Sequence, residues 1–173
     1  MSADVSIRLL SRDDAEQYQR LRLKSLQESP YAFYSTHDNE KGYTLKVFAD
    51  HLAWAYHPPF LGYYGIFVGN QLVGYAQLSK TMLEKQQHVV FINNVYIDSA
   101  FQGKGLATKL LSSAIDRVCL SGTIERVFVS CTAKNKPAYH LYTKLGFRRY
   151  SVRAKAMKWN GEYDDEIEMV KVL

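Results

Sequence analysis

The stretch that decides the fold reads Gln102-Gly103-Lys104-Gly105-Leu106-Ala107. It follows an apolar segment from Val89 to Ile97, whose β-branched and aromatic residues predict a strand. It leads into a segment from Leu106 to Val118, whose apolar residues recur at helical spacing. A strand, a glycine-rich turn and a helix in this order direct backbone N–H groups and the positive end of a helix at one place. That place favours a phosphate-type anion.

The glycine-rich turn does not identify its ligand alone, because such turns also serve as ordinary connections. It is not a Walker loop, since Lys104 is followed by Gly105 rather than by Ser or Thr. It is not a dinucleotide fingerprint either, since Thr108 stands where the third glycine belongs. Gly103 and Gly105 lack a Cβ, so an anion can come close to the backbone.

A second motif, at 135–147, reads Asn135-Lys136-Pro137-Ala138-Tyr139-His140-Leu141-Tyr142-Thr143-Lys144-Leu145-Gly146-Phe147. The two motifs together resemble the GCN5-related N-acetyltransferase (GNAT) superfamily. The acyl-CoA loop of that family reads Gln/Arg-x-x-Gly-x-Gly/Ala, which Gln102, Gly105 and Ala107 match. Its later helix reads Asn-x-x-Ala-x-x-x-Tyr-x-x-x-Gly-Phe, which is matched by Asn135, Ala138, Tyr142, Gly146 and Phe147. The family's lead-in strand, Leu-x-Val, is here Val95-Tyr96-Ile97.

This resemblance, strong from about residue 63 to 171 and generic before that, implies an α/β (α+β) fold. In that fold a mixed, mostly antiparallel central sheet is flanked by about four helices. Two parallel strands splay apart near Ile97 and Cys131, and the pantetheine arm fills the gap like an added strand. The pair Asn93-Asn94 interrupts an apolar strand, which indicates either a bulge or a polar strand end.

The resemblance also implies acetyl-CoA as the cofactor and assigns residues to it. The cofactor-binding residues it implies are Val95, Tyr96, Ile97, Gln102, Gly103, Lys104, Gly105, Leu106, Ala107, Thr108, Asn135, Ala138 and Tyr142. Two of these have a simpler alternative role. Asn135 is also a candidate N-cap of its helix, and Lys104 is also a candidate solvated side chain.

Two positions are candidates for the chemistry of acetyl transfer. Family members use a Tyr at the position of Tyr142 as the general acid that protonates the departing thiolate, although a packing role for it stays open. Asn93 takes the place where many family members have a Glu that acts through water. Since an amide side chain accepts no proton at neutral pH, either a water chain ends at Glu40 or Asp98, or the acceptor amine arrives neutral. The backbone N–H near Val95 would polarise the thioester carbonyl.

The early helix pair of the family covers the acceptor, so residues before the main sheet are candidates for binding it. These candidates are Phe33, Tyr34, Glu40, Phe48 and Trp54. Each aromatic residue among them is also compatible with ordinary packing.

The remaining elements follow from local patterns and turn signals. We expect a strand at 6–10, a helix from Ser11 to about Ser25, a helix over 44–56, a hairpin of 63–68 with 71–78, a strand at 125–130, a helix over 136–145 and a final hairpin of 148–158 with 162–171.

Length and composition predict a single domain over residues 1–173. No apolar stretch reaches about 18 residues, so no membrane span is expected. The segment Met1-Ser2-Ala3-Asp4-Val5 has neither the basic region nor the apolar core of a signal peptide, so a cytoplasmic location is expected. Cys119 and Cys131 form no C-x-x-C pair and are expected as buried, reduced thiols, without a metal site.

Three functions are compatible with these features. The first is an acetyl-CoA-dependent N-acetyltransferase acting on a primary amine of a small molecule or a peptide. The second is a non-catalytic acyl-CoA-binding module on the same fold, which the Asn at position 93 favours and Tyr142 disfavours. The third is a nucleic-acid binder, suggested by the net charge of +5 but disfavoured because no basic stripe alternates with aromatic residues. A homodimer that pairs through the final hairpin is common in the family.

Overall fold

A mixed sheet forms the centre of the protein in a computed structural model that describes residues 4–173. Its strands are β1 (Val5–Leu9), β2 (Gly62–Val68), β3 (Gln71–Ser79), β4 (Val89–Ile97), β5 (Arg126–Thr132), β6 (Arg148–Trp159) and β7 (Glu162–Val172). They lie in the order β1-β2-β3-β4-β5-β7-β6, and only β4 and β5 pair in parallel. This arrangement confirms the predicted fold class. The prediction about the signal peptide concerns Met1 to Ala3 in part, and these lie outside the described residues.

The helices are α1 (Ala15–Glu28), α2 (His37–Glu40), α3 (Leu45–Ala55), α4 (Leu106–Leu120) and α5 (Lys136–Lys144). The described chain thus has five α-helices rather than about four, because α2 has only four residues and carries no readable periodicity. Helix α1 starts later than predicted, because Ser11 and Asp14 form a capping box around a short 3-10 turn.

The two faces of the sheet are covered by different helices. On one face α1 and α3 pack on β2 and β3, with Tyr18, Phe48 and Tyr75 fully or almost fully buried between them. On the other face α4 and α5 cover the central strands, with Leu110 and Leu111 at the centre of a second apolar cluster. Burial of these two apolar surfaces holds the sheet between two helical layers.

The middle of the sheet opens at β4. Tyr75 pairs with Tyr96 and Gln77 pairs with Asn93, so the ladder shifts register at Asn94, whose φ of 50° is left-handed. On the other edge of β4 the parallel ladder with β5 ends at Ile92, and the strands then separate. Of the two alternatives for Asn93-Asn94, the structure shows the bulge rather than a polar strand end. The end of the parallel ladder confirms the predicted splay. Beyond Ile92, the edge of β4 that faces β5 is therefore free to bond a ligand as if it were a strand.

The two cysteines differ in their surroundings. Cys131 is buried, as expected, but Cys119 is exposed, so the prediction of a packed thiol is wrong for Cys119. The reason is that Cys119 lies in the last turn of α4 and is not one of the residues that this helix buries against the sheet. Within residues 4–173 no helix has the length and hydropathy needed to cross a membrane.

Candidate active site

A cleft of about 450 Å³ lies where β4 and β5 separate. It is lined by the bulged end of β4, the glycine-rich turn, the end of β5 and one face of α5. Among its lining residues are Asn93, Val95, Tyr96, Ile97, Gln102, Gly103, Gly105, Leu106, Ala107, Thr108, Asn135, Ala138 and Tyr142. Its volume falls in the range of small-molecule sites. The structure thus brings all the sequence-predicted cofactor residues except Lys104 to one place, and their individual roles stay predictions.

The glycine-rich end of the cleft has the features of an anion cradle. Gly105 is the N-cap residue of α4 with a φ of 73°, and no side chain caps this helix end. The first-turn N–H groups, on Leu106 to Thr108, have no intrahelical acceptor, so they are available to a ligand. A Cβ built at Gly103 or Gly105 would meet no atom within 4 Å, so open space lies in front of both. This geometry fits the diphosphate of a nucleotide-type cofactor.

Lys104 does not line the cleft. Its Nζ donates to the carbonyl oxygen of Ala100 at 3.3 Å and lies 5.0 Å from the centre of the Phe101 ring. The sequence-based assignment of Lys104 to the cofactor is therefore not supported by its position. Gln102 has a different task, since its Nε2 donates to the carbonyl of Ile97 at 2.9 Å and ties the turn to the end of β4.

Tyr142 forms part of the cleft wall opposite β4. Its side chain is buried, and its ring lies 6.1 Å from that of Phe147 in an edge-on contact. Burial, and secondarily the neighbouring Cys131 thiol, raises the pKa of Tyr142 well above its ordinary value. The phenol is therefore protonated at neutral pH and can serve as a proton donor. At the start of the same helix, Asn135 Oδ1 accepts from the Ala138 N–H at 3.2 Å, so Asn135 is an N-cap that also lines the cleft.

A second cavity, of about 190 Å³, meets the cleft at the bulge. The two share Ala32, Ile92, Asn93, Asn94, Ser130 and Cys131. Phe33 and Tyr34 line the second cavity, together with Gln77, Thr132, Met157 and Glu166. That Phe33 and Tyr34 bind an acceptor stays a prediction. We refer to the second cavity as the acceptor cavity. Asn93 stands at its junction with the cleft and donates from Nδ2 to Ser79 Oγ at 3.0 Å.

Three other predicted acceptor residues lie elsewhere. Phe48 has no exposed surface, because it fills the core between α1 and α3. Trp54 is 87% exposed and lines neither cavity, because it lies on the outer side of α3. Glu40 is buried and lines neither cavity, because the Arg22 guanidinium binds both of its oxygens, at 2.7 and 2.9 Å.

Arg22 connects the early helices to the bulge. Besides Glu40 it contacts Asn94 Oδ1 at 3.3 Å and lies 4.9 Å from the centre of the Phe33 ring. Asn94 in turn donates from Nδ2 to Gln77 Oε1 at 2.8 Å. Burial opposes the charge of Arg22, but the bond to Glu40 outweighs it, and the pKa of Arg22 is raised. This network holds the left-handed residue of the bulge in place.

Neither of the carboxylates considered as the end of a water chain lines the site. Glu40 is bound to Arg22, as described above. Asp98 accepts from Lys24 Nζ at 2.8 Å and from the Ala100 N–H at 3.0 Å, and it lies outside both cavities. Glu166 lines the acceptor cavity and was not among the site residues predicted from the sequence. Its signal was the alternation of Asp164, Glu166 and Glu168 along a strand, which places three carboxylates on one face.

Comparison with known proteins identifies the family. Residues 22–147 match the family described as Acetyltransferase (GNAT) family, which is well over half of the chain. The chain belongs to the GNAT family of acetyltransferases. This confirms the resemblance found in the sequence, and acetyl-CoA is the cofactor that GNAT membership implies.

Individual GNAT proteins resemble the chain more distantly. The spermine/spermidine N(1)-acetyltransferase of Bacillus subtilis is 29% identical over 111 residues, covering 62% of this chain and 66% of that protein, slightly less than two thirds of its length. The GNAT acetyltransferase structure from Streptococcus pneumoniae has a TM-score of 0.86 at 20% identity, covering 98% of this chain and 99% of the other. The structure of yncA from Salmonella typhimurium with its cofactor acetyl-CoA has a TM-score of 0.78 at 20% identity, covering 99% and 95%.

Proposed function

We propose that this protein transfers the acetyl group of acetyl-CoA to a primary amine by direct attack in a ternary complex. The observation that carries the proposal is the junction of two cavities at the β4 bulge, where Asn93, Asn94, Ser130 and Cys131 belong to both. One cavity has the anion cradle and the open strand edge, and the other approaches the same point from the acceptor side. A donor and an acceptor bound in them would meet without a covalent enzyme intermediate.

The chain supports the donor at three points. The amides of Leu106 to Thr108 hold the diphosphate, and the free edge of β4 after Ile92 bonds the pantetheine arm. The backbone near Val95 lies at the bulge, where an N–H can bond the thioester oxygen. Acetyl-CoA supplies the activated acyl group as a thioester.

When the amine nitrogen bonds the acetyl carbon and the carbon–sulfur bond breaks, Tyr142 gives its proton to the leaving sulfur. The nitrogen loses one proton to solvent and Tyr142 regains one from solvent, so that the products are an amide and a free thiol. A thiol and a phenol differ by about 1.5 pKa units in water, and burial raises the pKa of Tyr142 further. The same burial acts on sulfur in this wall, because it raises the pKa of Cys131 to about 11. Burial therefore makes the phenol a weaker acid and a thiolate formed here a stronger base than in water.

Asn93 offers no carboxylate at the position where many family members have one. The rate should therefore follow the neutral fraction of the acceptor amine and rise with pH until that amine is mostly deprotonated. Small molecules and peptide amines both remain candidate acceptors, and a homodimer stays a prediction.

The test is release of free thiol from acetyl-CoA with a panel of diamines, amino acids and short peptides, each assayed over a range of pH. Saturable, amine-dependent thiol release supports the proposal, and release no faster than in buffer overturns it. Asn93, at the position where many family members have Glu, favours one alternative function, a non-catalytic acyl-CoA-binding module. Binding of CoA by calorimetry without thiol release for any amine would support that alternative.

A further inference from the structure

Glu166 lies in the wall of the acceptor cavity with 3% of its surface exposed. Among the residues within 4–173 that line the cleft and the acceptor cavity, it is the only one with a carboxylate. A buried carboxylate at a site that receives an amine provides a natural partner for a positive charge.

The hydrogen-bond donors around Glu166 differ in how firmly they are fixed. Ser130 Oγ donates to Oε1 at 2.6 Å from within β5. The Tyr34 hydroxyl and the Arg153 guanidinium also bind the carboxylate, but Tyr34 is 70% exposed and the Arg153 side chain is 54% exposed. The Tyr34 hydroxyl shares Oε1 with Ser130, whereas the Arg153 guanidinium binds Oε2. Oε1 is therefore held by a residue of the sheet, and Oε2 is bound, within the described residues, by a side chain that reaches in from solvent and can be replaced by a ligand.

Thr132 gives an independent indication that a polar ligand binds here. It is directly opposite Glu166 in the β5–β7 ladder, so both side chains leave the same face of the sheet. Thr132 is 6% exposed and lines the same cavity, yet its hydroxyl oxygen has no hydrogen-bond partner within the described residues. Buried hydroxyls normally have a partner, so an unpaired one beside a carboxylate indicates a group supplied by a ligand.

We infer that Glu166 anchors a cationic group of the acceptor that is separate from the amine to be acetylated. The ammonium of this second group replaces the Arg153 guanidinium at Glu166, and the Thr132 hydroxyl accepts one of its remaining N–H bonds. The acceptor class is then a diamine or polyamine. This inference rests on the proposed function, because it names the substrate class of the same site.

The experiment compares two acceptors of equal length, 1,5-diaminopentane and 5-amino-1-pentanol, which differ only in having an ammonium or a hydroxyl at the far end. We expect the wild-type protein to have a higher kcat/KM for the diamine. In the Glu166→Gln variant, kcat/KM for the diamine divided by kcat/KM for the amino alcohol should fall by about tenfold or more, mainly because KM for the diamine rises. Glu168→Gln is the matched control, because Glu168 lies on the same strand and contacts Arg153 Nε at 3.4 Å without lining either cavity. It should leave the ratio unchanged.

Arg153→Gln provides a change of opposite sign. Removing the guanidinium that competes for Glu166 should lower KM for the diamine and leave KM for the amino alcohol unchanged. If Glu166 and Arg153 acted only to hold the fold, both variants would impair both acceptors alike.

Several outcomes would overturn the inference. They are an unchanged ratio in Glu166→Gln, an equal loss for both acceptors as expected of a general base, or a wild-type protein that prefers the amino alcohol. Failure of the proposed function would look different, since no acceptor would release thiol. In that case calorimetry of 1,5-diaminopentane with CoA-loaded protein decides: binding that Glu166→Gln abolishes supports the anchor, and absence of binding overturns it.

Discussion

Arg22 and Glu40 form a two-point salt bridge whose side chains are only 7% and 9% exposed. Arg22 lies on α1 and Glu40 on α2, so the pair fastens the short second helix to the first. Arg22 also reaches Asn94 at the bulge, which connects the early helices to the cavity junction. Glu40, which was predicted to bind an acceptor, therefore lies outside the cavity and instead holds Arg22, whose contact with Asn94 supports the bulge.

Breaking this pair should destabilise the protein strongly, because removal of one partner leaves a buried charge without compensation. We expect Glu40→Gln and Arg22→Met each to lower the free energy of unfolding by about 3 kcal/mol, and the double variant to lose much less than the sum. Urea denaturation of the four proteins measures the coupling. The exposed pair Glu16 and Arg20 is the control and should contribute less than about 1 kcal/mol. Additive losses at Arg22 and Glu40 would contradict the prediction.

Acid should remove part of the same stabilisation. Burial tends to raise the pKa of Glu40, but the hydrogen bond from Arg22 outweighs it, so the pKa lies below the ordinary 4.5. Because the pKa of Glu40 is lower in the folded protein, the unfolded chain binds a proton more readily. The stabilisation by the Arg22–Glu40 pair is therefore complete above about pH 5, and it is lost as the pH falls below 4.5 and through the lowered pKa of the folded protein. Asp14 should show the same loss of stabilisation in acid. Its burial tends to raise its pKa, but the hydrogen bond from Arg8 outweighs this effect, and the pKa lies below 3.8.

Urea midpoints measured from about pH 7 to about pH 3 check this prediction. The wild-type midpoint should fall more steeply below about pH 5 than that of Glu40→Gln, which has one titrating carboxylate fewer. Parallel curves for the two proteins would show that Glu40 does not carry the acid sensitivity.

Gly105 and Gly122 allow the anion cradle to be tested with a matched control. The two glycines flank the same helix: α4 begins directly after Gly105 and ends shortly before Gly122. Both have left-handed φ values, 73° and 64°, and both have open space where a Cβ would stand. Alanine at either position should cost about 1 kcal/mol of stability through backbone strain.

Only Gly105→Ala should weaken CoA binding, since only Gly105 lies in the cleft. We expect an increase in the dissociation constant of about tenfold, measured by calorimetry, because the new methyl group stands where the diphosphate approaches the backbone. Equal CoA affinity in the two variants would place the diphosphate away from this turn.

Tyr142→Phe removes the proposed proton donor and keeps the ring that packs on Phe147. We expect kcat to fall by roughly 10²- to 10⁴-fold with little change in the KM for acetyl-CoA. The thermal midpoint should stay close to that of the wild type, because the apolar contacts are retained. A variant with unchanged kcat would remove Tyr142 from the role of general acid.

Local patterns were sufficient for most of the secondary structure and for the glycine-rich end of the cleft, while the other cofactor residues were predicted from the family resemblance. The turn at Gly103 and Gly105, the strand before it and the helix after it are contiguous in the chain, and their geometry follows from backbone conformation and side-chain periodicity. The motif around Tyr142 is equally local. The four-residue helix α2 was not predicted, because such a short segment has too few residues to show a helical period.

The sequence by itself determined the strand–turn–helix that forms the anion cradle and the family to which the chain belongs, because both depend on residues close together along the chain. Only the tertiary structure decided the acceptor side. Arg22 took Glu40 as its counter-ion, since a buried guanidinium requires one. Glu166 lies at the cavity because β7 pairs with β5, a distant segment of the chain, in a register that places Glu166 opposite Thr132. Side-chain alternation along one strand cannot specify that register.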